Sequence, residues 1–262
     1  MTSTHAHRVA VITGGSGGIG AAVARRFHRD GLHVAILDTQ REAGAALAAE
    51  LGERAAFHFC DVTDAAAMDA LAARIQQELG QPEILVTSAA LTGANFGTVM
   101  DFDLEAHDKS WRVNYHGTLH ACRSFGRLMI EAQGGSIVTL GSIHGLMPMP
   151  SPAYNPGKAA LARLTQLLAV ELGRFGIRVN GVAPTYVMTD RMRKNFESGR
   201  RDEAKMMSVH ALESLPDPDD IANAIAFLCS DGAAKITGIT LPVDSGLSAA
   251  VSYKTYAGGV PW

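Results

Sequence analysis

The chain has 262 residues and 47% hydrophobic content, which is enough to bury one large core and favours a single domain over two small ones. Its 23 basic and 26 acidic side chains give a formal net charge of −3, so no global field favours a nucleic acid or an anionic membrane as partner. Three cysteines, Cys60, Cys122 and Cys229, lie far apart without zinc-ligand spacing, so we expect reduced core thiols and no metal site. Small-molecule chemistry remains open.

The N-terminal segment MTSTHAHR is short and polar and lacks the charged and apolar regions of a signal peptide. Residues 132–157 carry no Asp, Glu, Lys or Arg, but Gly, Ser and Pro interrupt them too often for a membrane helix, which needs about 20 mainly apolar residues. We therefore expect a cytoplasmic protein without a membrane partner.

Short β-branched runs alternate with longer helical patterns along the chain. The predicted strands are Val9–Thr13, His33–Leu37, Ala55–Cys60, Ile84–Ser88, Ser136–Leu140, Arg178–Val182 and Ile239–Val243. The predicted helices are Ile19–Arg29, Ala65–Leu79, His107–Ala132, Ala159–Phe175 and Asp219–Leu228. This alternation predicts βαβ units and a seven-stranded parallel sheet with helices on both faces. The expected fold is a single-domain α/β doubly wound Rossmann fold over residues 1–262.

A glycine-rich segment, TGGSGGIG at residues 13–20, follows the first strand and opens the first helix. Glycines let the backbone approach a pyrophosphate, and a helix N-terminus directs free N–H groups at it. The segment satisfies G-x-G-x-x-G from Gly15 and T-G-x-x-x-G-x-G from Thr13, so spacing alone leaves both patterns open. The predicted cofactor contacts here are Gly14, Ser16, Gly18, Ile19 and Gly20.

Two acidic positions close the next strands. Asp38 ends the second strand, 18 residues after Gly20. A carboxylate there can accept hydrogen bonds from both adenosine ribose hydroxyls and would repel a 2′-phosphate, which favours NAD over NADP; the alternative is a helix cap or turn residue. Asp61 and Val62, after the third strand, could border the adenine or merely begin a turn.

Four motifs together resemble the short-chain dehydrogenase/reductase family over essentially the whole chain. They are Thr13-Gly14-x3-Gly18-x-Gly20, Asn114, Ser142 and Tyr154-x3-Lys158, in the family's order and approximate spacing. The resemblance implies that Tyr154 is the catalytic acid or base, that Ser142 orients the reacting oxygen, and that Lys158 holds the nicotinamide ribose. It further implies that Asn114 supports a water-mediated proton relay to Lys158.

The Tyr154–Lys158 pair also has a physical rationale. Residues four apart on a helix share a face, and a nearby ammonium group stabilises a phenolate, which predicts a tyrosine pKa lowered from about 10 toward working pH. Pro156 is tolerated in the first turn of a helix, so the helix should begin within a few residues of Tyr154. In isolation, such a pair is usually a solvated helix face, and Ser142 is usually part of a turn.

The segment after the sixth strand, Pro184-x4-Thr189, resembles the family's nicotinamide-carboxamide loop, with Val187 as a backbone contact. From local sequence alone, a Pro-initiated loop with a helix-capping Thr189 is an equal alternative. The family's Pro-Gly appears here as Pro184-Thr185, and its Asn-Ala-Gly after the fourth strand as Ser88-Ala89-Ala90. Serine replaces only some hydrogen bonds of asparagine, and alanine does not adopt positive φ freely, so we expect altered cofactor geometry at both loops.

Substrate selection is assigned to the loop after Ser142, to a lid at about residues 186–212, and to the tail. The predicted substrate contacts are Ser142, His144, Tyr154 and Tyr186, with Met147 and Met149 as apolar walls. Residues 191–205 contain six basic and three acidic side chains. This excess indicates either a solvated lid helix or recognition of a phosphate, sulfonate or coenzyme A thioester.

The C-terminal tail, residues 247–262, contains Tyr253, Tyr256 and Trp262, which is unusually aromatic for a frayed end. Our hypothesis is that it docks on a neighbouring subunit. The resemblance also implies a homotetramer, or a homodimer, formed through the long helices Asp108–Ala132 and Ala159–Phe175.

These observations predict an NAD-dependent enzyme that interconverts a secondary alcohol and its ketone by hydride transfer. A polyol or sugar-like substrate is the first hypothesis, and an anionic or acyl-thioester hydroxy compound is the second. The rival from another class is a non-enzymatic NAD-binding regulator that retains the fold. The complete set of Asn114, Ser142, Tyr154 and Lys158 disfavours that rival.

Overall fold

The computed structural model describes residues 8–92 and 98–254, and its seven strands form one parallel sheet in the order β3-β2-β1-β4-β5-β6-β7. The strands are β1 Val9–Thr13, β2 His33–Asp38, β3 Ala55–Phe59, β4 Pro82–Thr87, β5 Gly135–Leu140, β6 Ile177–Pro184 and β7 Thr240–Val243. The strand order reverses beside β1, which is the doubly wound arrangement. The predicted fold class is confirmed.

Ten α-helices lie within the described residues. They are α1 Gly18–Arg29, α2 Arg41–Leu51, α3 Ala65–Leu79, α4 Leu104–Trp111, α5 Gly117–Ala132, α6 Tyr154–Gly173, α7 Asp190–Glu197, α8 Glu203–Ser208, α9 Pro218–Cys229 and α10 Leu247–Lys254. Helices α2 and α10 were absent from the predicted set, and α7 and α8 lie in the segment for which a lid helix was one alternative. None of the helices in the described ranges is long and apolar enough to cross a membrane.

The prediction of one continuous helix over His107–Ala132 is wrong. A π-helical turn at Arg112–His116 separates α4 from α5, and Asn114 lies in this turn. Apolar periodicity did not indicate this turn, because α4 buries only Ser110 and the periodic apolar face belongs to α5. π-Turns inside α-helices occur frequently at functional sites.

The central strand β1 is buried on both faces, which explains its continuous apolar sequence. Ala10 and Ile12 pack against residues of α1, α2 and α9 on one face. Val9 and Val11 pack against residues of α3, α5 and α6 on the other. Because alternate side chains of a strand point to opposite faces, one short run supports two cores.

The first part of the predicted tail is helix α10, which packs on its own chain. The Lys254 ammonium group donates hydrogen bonds to Ser208 O at 2.7 Å and to His210 O at 2.6 Å. This helix therefore supports the lid segment of the same subunit. Tyr256 and Trp262 lie outside the described residues, so docking on a neighbour stays a prediction.

Candidate active site

A cleft of about 1470 Å³ opens beyond the carboxyl ends of the strands, where the strand order reverses. Seven separate segments bring the predicted site residues to its walls. These wall residues are Gly14, Ser16, Gly18, Ile19, Asp38, Asp61, Val62, Ser88, Ser142, His144, Tyr154, Lys158, Pro184, Tyr186, Val187 and Thr189. Two predicted site residues, Gly20 and Asn114, lie behind these walls.

The backbone of the glycine loop distinguishes the two sequence patterns. Gly14 and Gly18 have φ of 63° and 52°, whereas Gly15 and Gly17 avoid the left-handed region. A Cβ on Gly14 would lie 2.6 Å from Ala89 Cα, and a Cβ on Gly20 would collide with Gly14 O. Every glycine of the T-G-x-x-x-G-x-G pattern is thus constrained by the fold, whereas Gly17 of the other pattern is not.

Asp38 is tied to the glycine loop. One carboxylate oxygen accepts hydrogen bonds from the Ser16 backbone N–H at 3.1 Å and the Ser16 hydroxyl at 2.5 Å. The other oxygen accepts from Gln40 N–H at 3.1 Å, so the turn role foreseen as the alternative is also present. The carboxylate thus sits at the end of β2, on the wall of the cleft.

Helix α6 begins at Tyr154, with Pro156 in its first turn, as the sequence predicts. The ammonium nitrogen of Lys158 lies 5.4 Å from the centre of the Tyr154 ring, so both side chains are on the same side of the helix. Lys158 is 3% exposed and donates a 2.6 Å hydrogen bond to Leu140 O at the end of β5. Strand β5 thereby aligns the first turn of α6 with Ser142.

The predicted lowering of the Tyr154 pKa is wrong for this structure. Tyr154 is half-buried, and the loss of water around its hydroxyl raises its pKa to about 12, with a hydrogen bond from Ser142 acting in the opposite direction. Burial lowers the pKa of Lys158 to about 8. Desolvation of the Tyr154 hydroxyl outweighs the attraction of the nearby positive charge. The reason is that the Lys158 ammonium group lies near the ring and donates its hydrogen bond to Leu140 O instead of to the phenol.

His144 stands edge-on to Tyr154, with ring centroids 5.2 Å apart and an interplanar angle of 84°. Its Nδ1 atom is buried and has no hydrogen-bond partner among the described residues. Burial, and then the charge of Lys158, lower the pKa of His144 and favour the neutral ring. His144 lines the cleft beside the Tyr154 phenol, and a neutral imidazole there can hydrogen-bond a hydroxyl group.

The Asn114 side chain holds the loop after β4. Its Oδ1 accepts from Leu91 N–H at 2.7 Å, and its Nδ2 donates to Leu91 O at 3.1 Å and Ser110 Oγ at 3.2 Å. Its own backbone carbonyl accepts from the Thr118 hydroxyl at 2.9 Å. Asn114 thus positions a wall of the cleft through its amide, and the proton-relay role stays a prediction.

The two departures from the family pattern are accommodated without strain. Ala90 does not adopt positive φ, and Ser88 N–H donates to Thr13 O at 3.0 Å, which joins this loop to β1.

The Thr185 hydroxyl lies 3.0 Å from Nε2 of the fully buried His210. Since Nδ1 of His210 lies 2.7 Å from Met206 O, Nδ1 carries the proton and Thr185 donates to Nε2. Sequence reasoning missed His210, because nothing local to it indicates this partner.

The lid segment contacts the loop after β4 across the cleft. Thr189 caps α7 by accepting from Met192 N–H at 3.3 Å, which is the capping alternative. The next residues along α7 include Arg191, whose guanidinium group donates to Thr92 Oγ1 at 2.7 Å and Thr92 O at 3.2 Å. This bridge, also missed from sequence, joins α7 to the loop that Asn114 holds.

The model of a family described as enoyl-(acyl carrier protein) reductase matches residues 14–248. A D-threitol dehydrogenase from Mycolicibacterium smegmatis is 36% identical over 243 residues, covering 91% of this chain and 92% of that protein. A solved oxidoreductase of the short-chain dehydrogenase/reductase family from Burkholderia thailandensis aligns with a TM-score of 0.88 and 32% identity, covering 98% and 99% of the two chains. The chain belongs to the short-chain dehydrogenase/reductase family.

This short-chain dehydrogenase/reductase is therefore an oxidoreductase of the alcohol dehydrogenase/reductase type that uses a nicotinamide cofactor. The structure of ElxO with NADP bound aligns with it at a TM-score of 0.88 and 30% identity, covering 93% of this chain and 99% of that one. The family thus includes an NADP-bound member of the same fold.

Proposed function

We propose that the protein is an NAD-dependent dehydrogenase that interconverts a secondary alcohol and its ketone. The observation that carries the proposal is the convergence of Ser142, Tyr154 and Lys158 at the inner end of the cleft. Ser142 follows β5, Tyr154 and Lys158 lie at the start of α6, and together they supply a hydroxyl, a phenol and a buried ammonium group. Such a set suits proton transfer to and from a substrate oxygen.

The glycine loop fits a dinucleotide. A Cβ on Gly17 would meet no atom within 4 Å, so the backbone there borders open space. The first turn of α1 holds no acidic residue and no side-chain cap, which leaves its N–H groups available to a phosphate. Asp38 supports NAD, because its carboxylate would repel a 2′-phosphate. The bound nicotinamide supplies the hydride acceptor or donor.

The chain's own residues manage the proton. In oxidation, the alcohol carbon loses a hydride and the proton of its O–H group passes to the Tyr154 oxygen. In reduction, the protonated Tyr154 returns that proton to the carbonyl oxygen. Ser142 holds the reacting oxygen beside Tyr154, and the charge of Lys158 stabilises the phenolate form. We assign Lys158 to the nicotinamide ribose and Asn114 to the relay, as the family resemblance implies.

A polyol or sugar-like alcohol is the first proposed substrate class. The similarity to a D-threitol dehydrogenase supports it, as does the His144 ring, which lines the cleft next to Tyr154. An anionic hydroxy compound is the second class, and the basic side chains of the lid favour it. The lid role of residues 186–212 belongs to the same proposal.

Assembly into a homotetramer or homodimer is also proposed. Helix α6 presents Leu167 and Val170, which are 53% and 82% exposed, on its outer face. Exposed apolar residues on one helix face favour a protein contact. Light scattering of the purified protein tests it, and a monomer would contradict it.

The deciding experiment measures NADH or NADPH formation from NAD or NADP across polyols, sugars, simple secondary alcohols and anionic hydroxy compounds. We expect activity with NAD that is lost in Tyr154→Phe and kept in Tyr115→Phe, a matched variant outside the cleft. Titration with NADH should give equal affinity in all three proteins. Tight NADH binding with no alcohol oxidised would instead support a non-enzymatic regulator.

A further inference from the structure

A second chamber of about 480 Å³ lies beside the cleft and shares Tyr186, Arg200 and Arg201 with it. Its apolar wall comes from the loop after β5, from α8 and the turn after it, and from α10. The wall residues are Met147, Pro148, Met149, Met206, Val209, Leu247 and Val251. The chamber therefore offers an extension of the cleft on the substrate side, next to the loop that carries His144.

The character of this wall limits what can occupy it. Thioether and aliphatic side chains give no hydrogen bonds, so a polyhydroxylated ligand would lose hydration there without compensation. A hydrocarbon body would instead bury apolar surface against three adaptable methionines. The wall thus suits an apolar portion of a ligand whose reactive end lies in the cleft.

The rim of the chamber is strongly cationic. Four basic side chains line it, against a single carboxylate from the described residues; the basic ones are Arg200, Arg201, Lys205 and Lys254. The carboxylate is that of Asp202, which caps α8 by accepting from Lys205 N–H at 2.9 Å. Electrostatic attraction at this rim is therefore available to an anion.

Two of the four cations already have structural partners. Lys254 donates to the carbonyls of Ser208 and His210, and Arg201 lies 5.7 Å from the centre of the Tyr186 ring. Arg200 and Lys205 differ, because within residues 8–92 and 98–254 no carboxylate forms an ion pair with either side chain. Both are exposed at the mouth of the chamber.

We propose that the physiological substrate is an amphipathic anion, namely a secondary alcohol joined through a hydrocarbon body to a carboxylate, sulfonate or phosphate. The body occupies the chamber, and the anionic oxygens bind Arg200 and Lys205. This inference rests on the proposed function, since the alcohol must reach Tyr154. It selects the anionic class over the polyol class.

Matched substrates test the charge directly. Short (omega-minus-one)-hydroxycarboxylates, hydroxyalkanesulfonates and hydroxyalkyl phosphates are compared with hydroxycarboxamides of equal length, which keep the shape but not the charge. We expect kcat/KM with NAD to favour the preferred anion by about 10- to 100-fold over the amide, the range of a charge-assisted hydrogen bond. Added salt should reduce the preference, because exposed charges are screened.

Substitutions at the rim of the chamber test which side chains bind the anion. Arg200→Gln and Lys205→Met should each lower the preference about tenfold, through a higher KM for the anion and with kcat for the anion retained. Lys205→Arg keeps the charge and should retain most of the preference. Lys194→Met is the matched control, because Lys194 belongs to α7 in the same basic segment but lines neither the cleft nor the chamber.

Equal kcat/KM for anion and amide, or better turnover of D-threitol than of every anion, would overturn the inference and leave the dehydrogenase proposal intact. If no alcohol is oxidised, the dehydrogenase proposal fails, and binding decides the inference. In that case, calorimetry with NADH present compares simple alkanoates with alkanamides. Alkanoate binding that weakens in Arg200→Gln supports an anion site, and equal or undetectable binding of the two refutes it.

Discussion

The Lys158 ammonium nitrogen lies 5.4 Å from the centre of the Tyr154 ring while it donates a 2.6 Å hydrogen bond to Leu140 O. Burial moves their pKa values apart, raising that of Tyr154 to about 12 and lowering that of Lys158 to about 8. At neutral pH the tyrosine is therefore protonated and the lysine is charged. The pair is set for proton donation, and oxidation depends on the minor phenolate form.

The pH dependence of the reaction follows from these directions. Because the Tyr154 pKa lies above the neutral range, its phenolate fraction rises about tenfold per pH unit, and kcat/KM for oxidation should rise likewise. Above about pH 8, loss of the Lys158 charge should flatten the increase. Ketone reduction should not increase with pH. Initial rates in both directions from about pH 6 to pH 10 check this, and oxidation that falls as pH rises would contradict it.

Cofactor choice is expected to depend on Asp38. Asp38→Ser removes the carboxylate that would repel a 2′-phosphate, so the ratio of kcat/KM for NADP to that for NAD should increase about tenfold or more, equivalent to about 1.4 kcal/mol. Asp61→Asn, at the end of β3, should change the use of both cofactors by the same factor. Steady-state kinetics with each cofactor measure the ratio. No change in Asp38→Ser would refute the assignment.

Asn114→Ala should loosen the loop after β4. It removes hydrogen bonds to both Leu91 N–H and Leu91 O, for an expected loss of about 1–3 kcal/mol in the free energy of unfolding. Ser110→Ala removes only the 3.2 Å contact with Asn114 and should cost less. Urea denaturation compares the two variants. If Asn114 also supports proton transfer, kcat should fall more in Asn114→Ala than in Ser110→Ala.

Alanine substitutions at two glycines of the glycine-rich segment should have different effects, one on stability and the other on NADH binding. Gly20→Ala forces a Cβ against Gly14 O, and such overpacking costs about 1–3 kcal/mol or more, so we expect a lower unfolding midpoint. Gly17→Ala places a methyl group in open space at the proposed phosphate seat. It should keep wild-type stability and weaken NADH binding. Thermal unfolding and NADH titration separate the effects, and unchanged NADH affinity in Gly17→Ala would argue against that seat.

The Thr185–His210 hydrogen bond should stabilise the lid. Thr185→Val keeps the shape but leaves Nε2 of the fully buried His210 without a donor, at an expected cost of about 1–3 kcal/mol. Thr185→Ser keeps the hydroxyl and should recover most of the loss. Urea unfolding of the three proteins tests this, and equal stability of the Val and Ser variants would contradict it.

Local spacing was sufficient for much of this architecture. Each of the main sequence signals spans only a few residues. These signals are glycines after a buried strand, an acidic residue at the end of the next strand, and a tyrosine and a lysine four positions apart. The start of α6 at Tyr154 was likewise predictable, since Pro156 constrains the first turn. The errors in the predicted elements were shifted helix boundaries, the missed helices α2 and α10, and the π-turn around Asn114.

The sequence by itself determined the parallel sheet and the glycine loop, because hydrophobic period and motif spacing are local properties, and its resemblance to the family singled out Ser142, Tyr154 and Lys158. Only the tertiary structure decided the sign of the Tyr154 pKa shift, the attachment of Asn114 to Leu91, the buried Thr185–His210 bond and the chamber beside the cleft. Those features depend on desolvation and on partners distant in sequence. Both arise when separate segments pack together, and no local pattern encodes them.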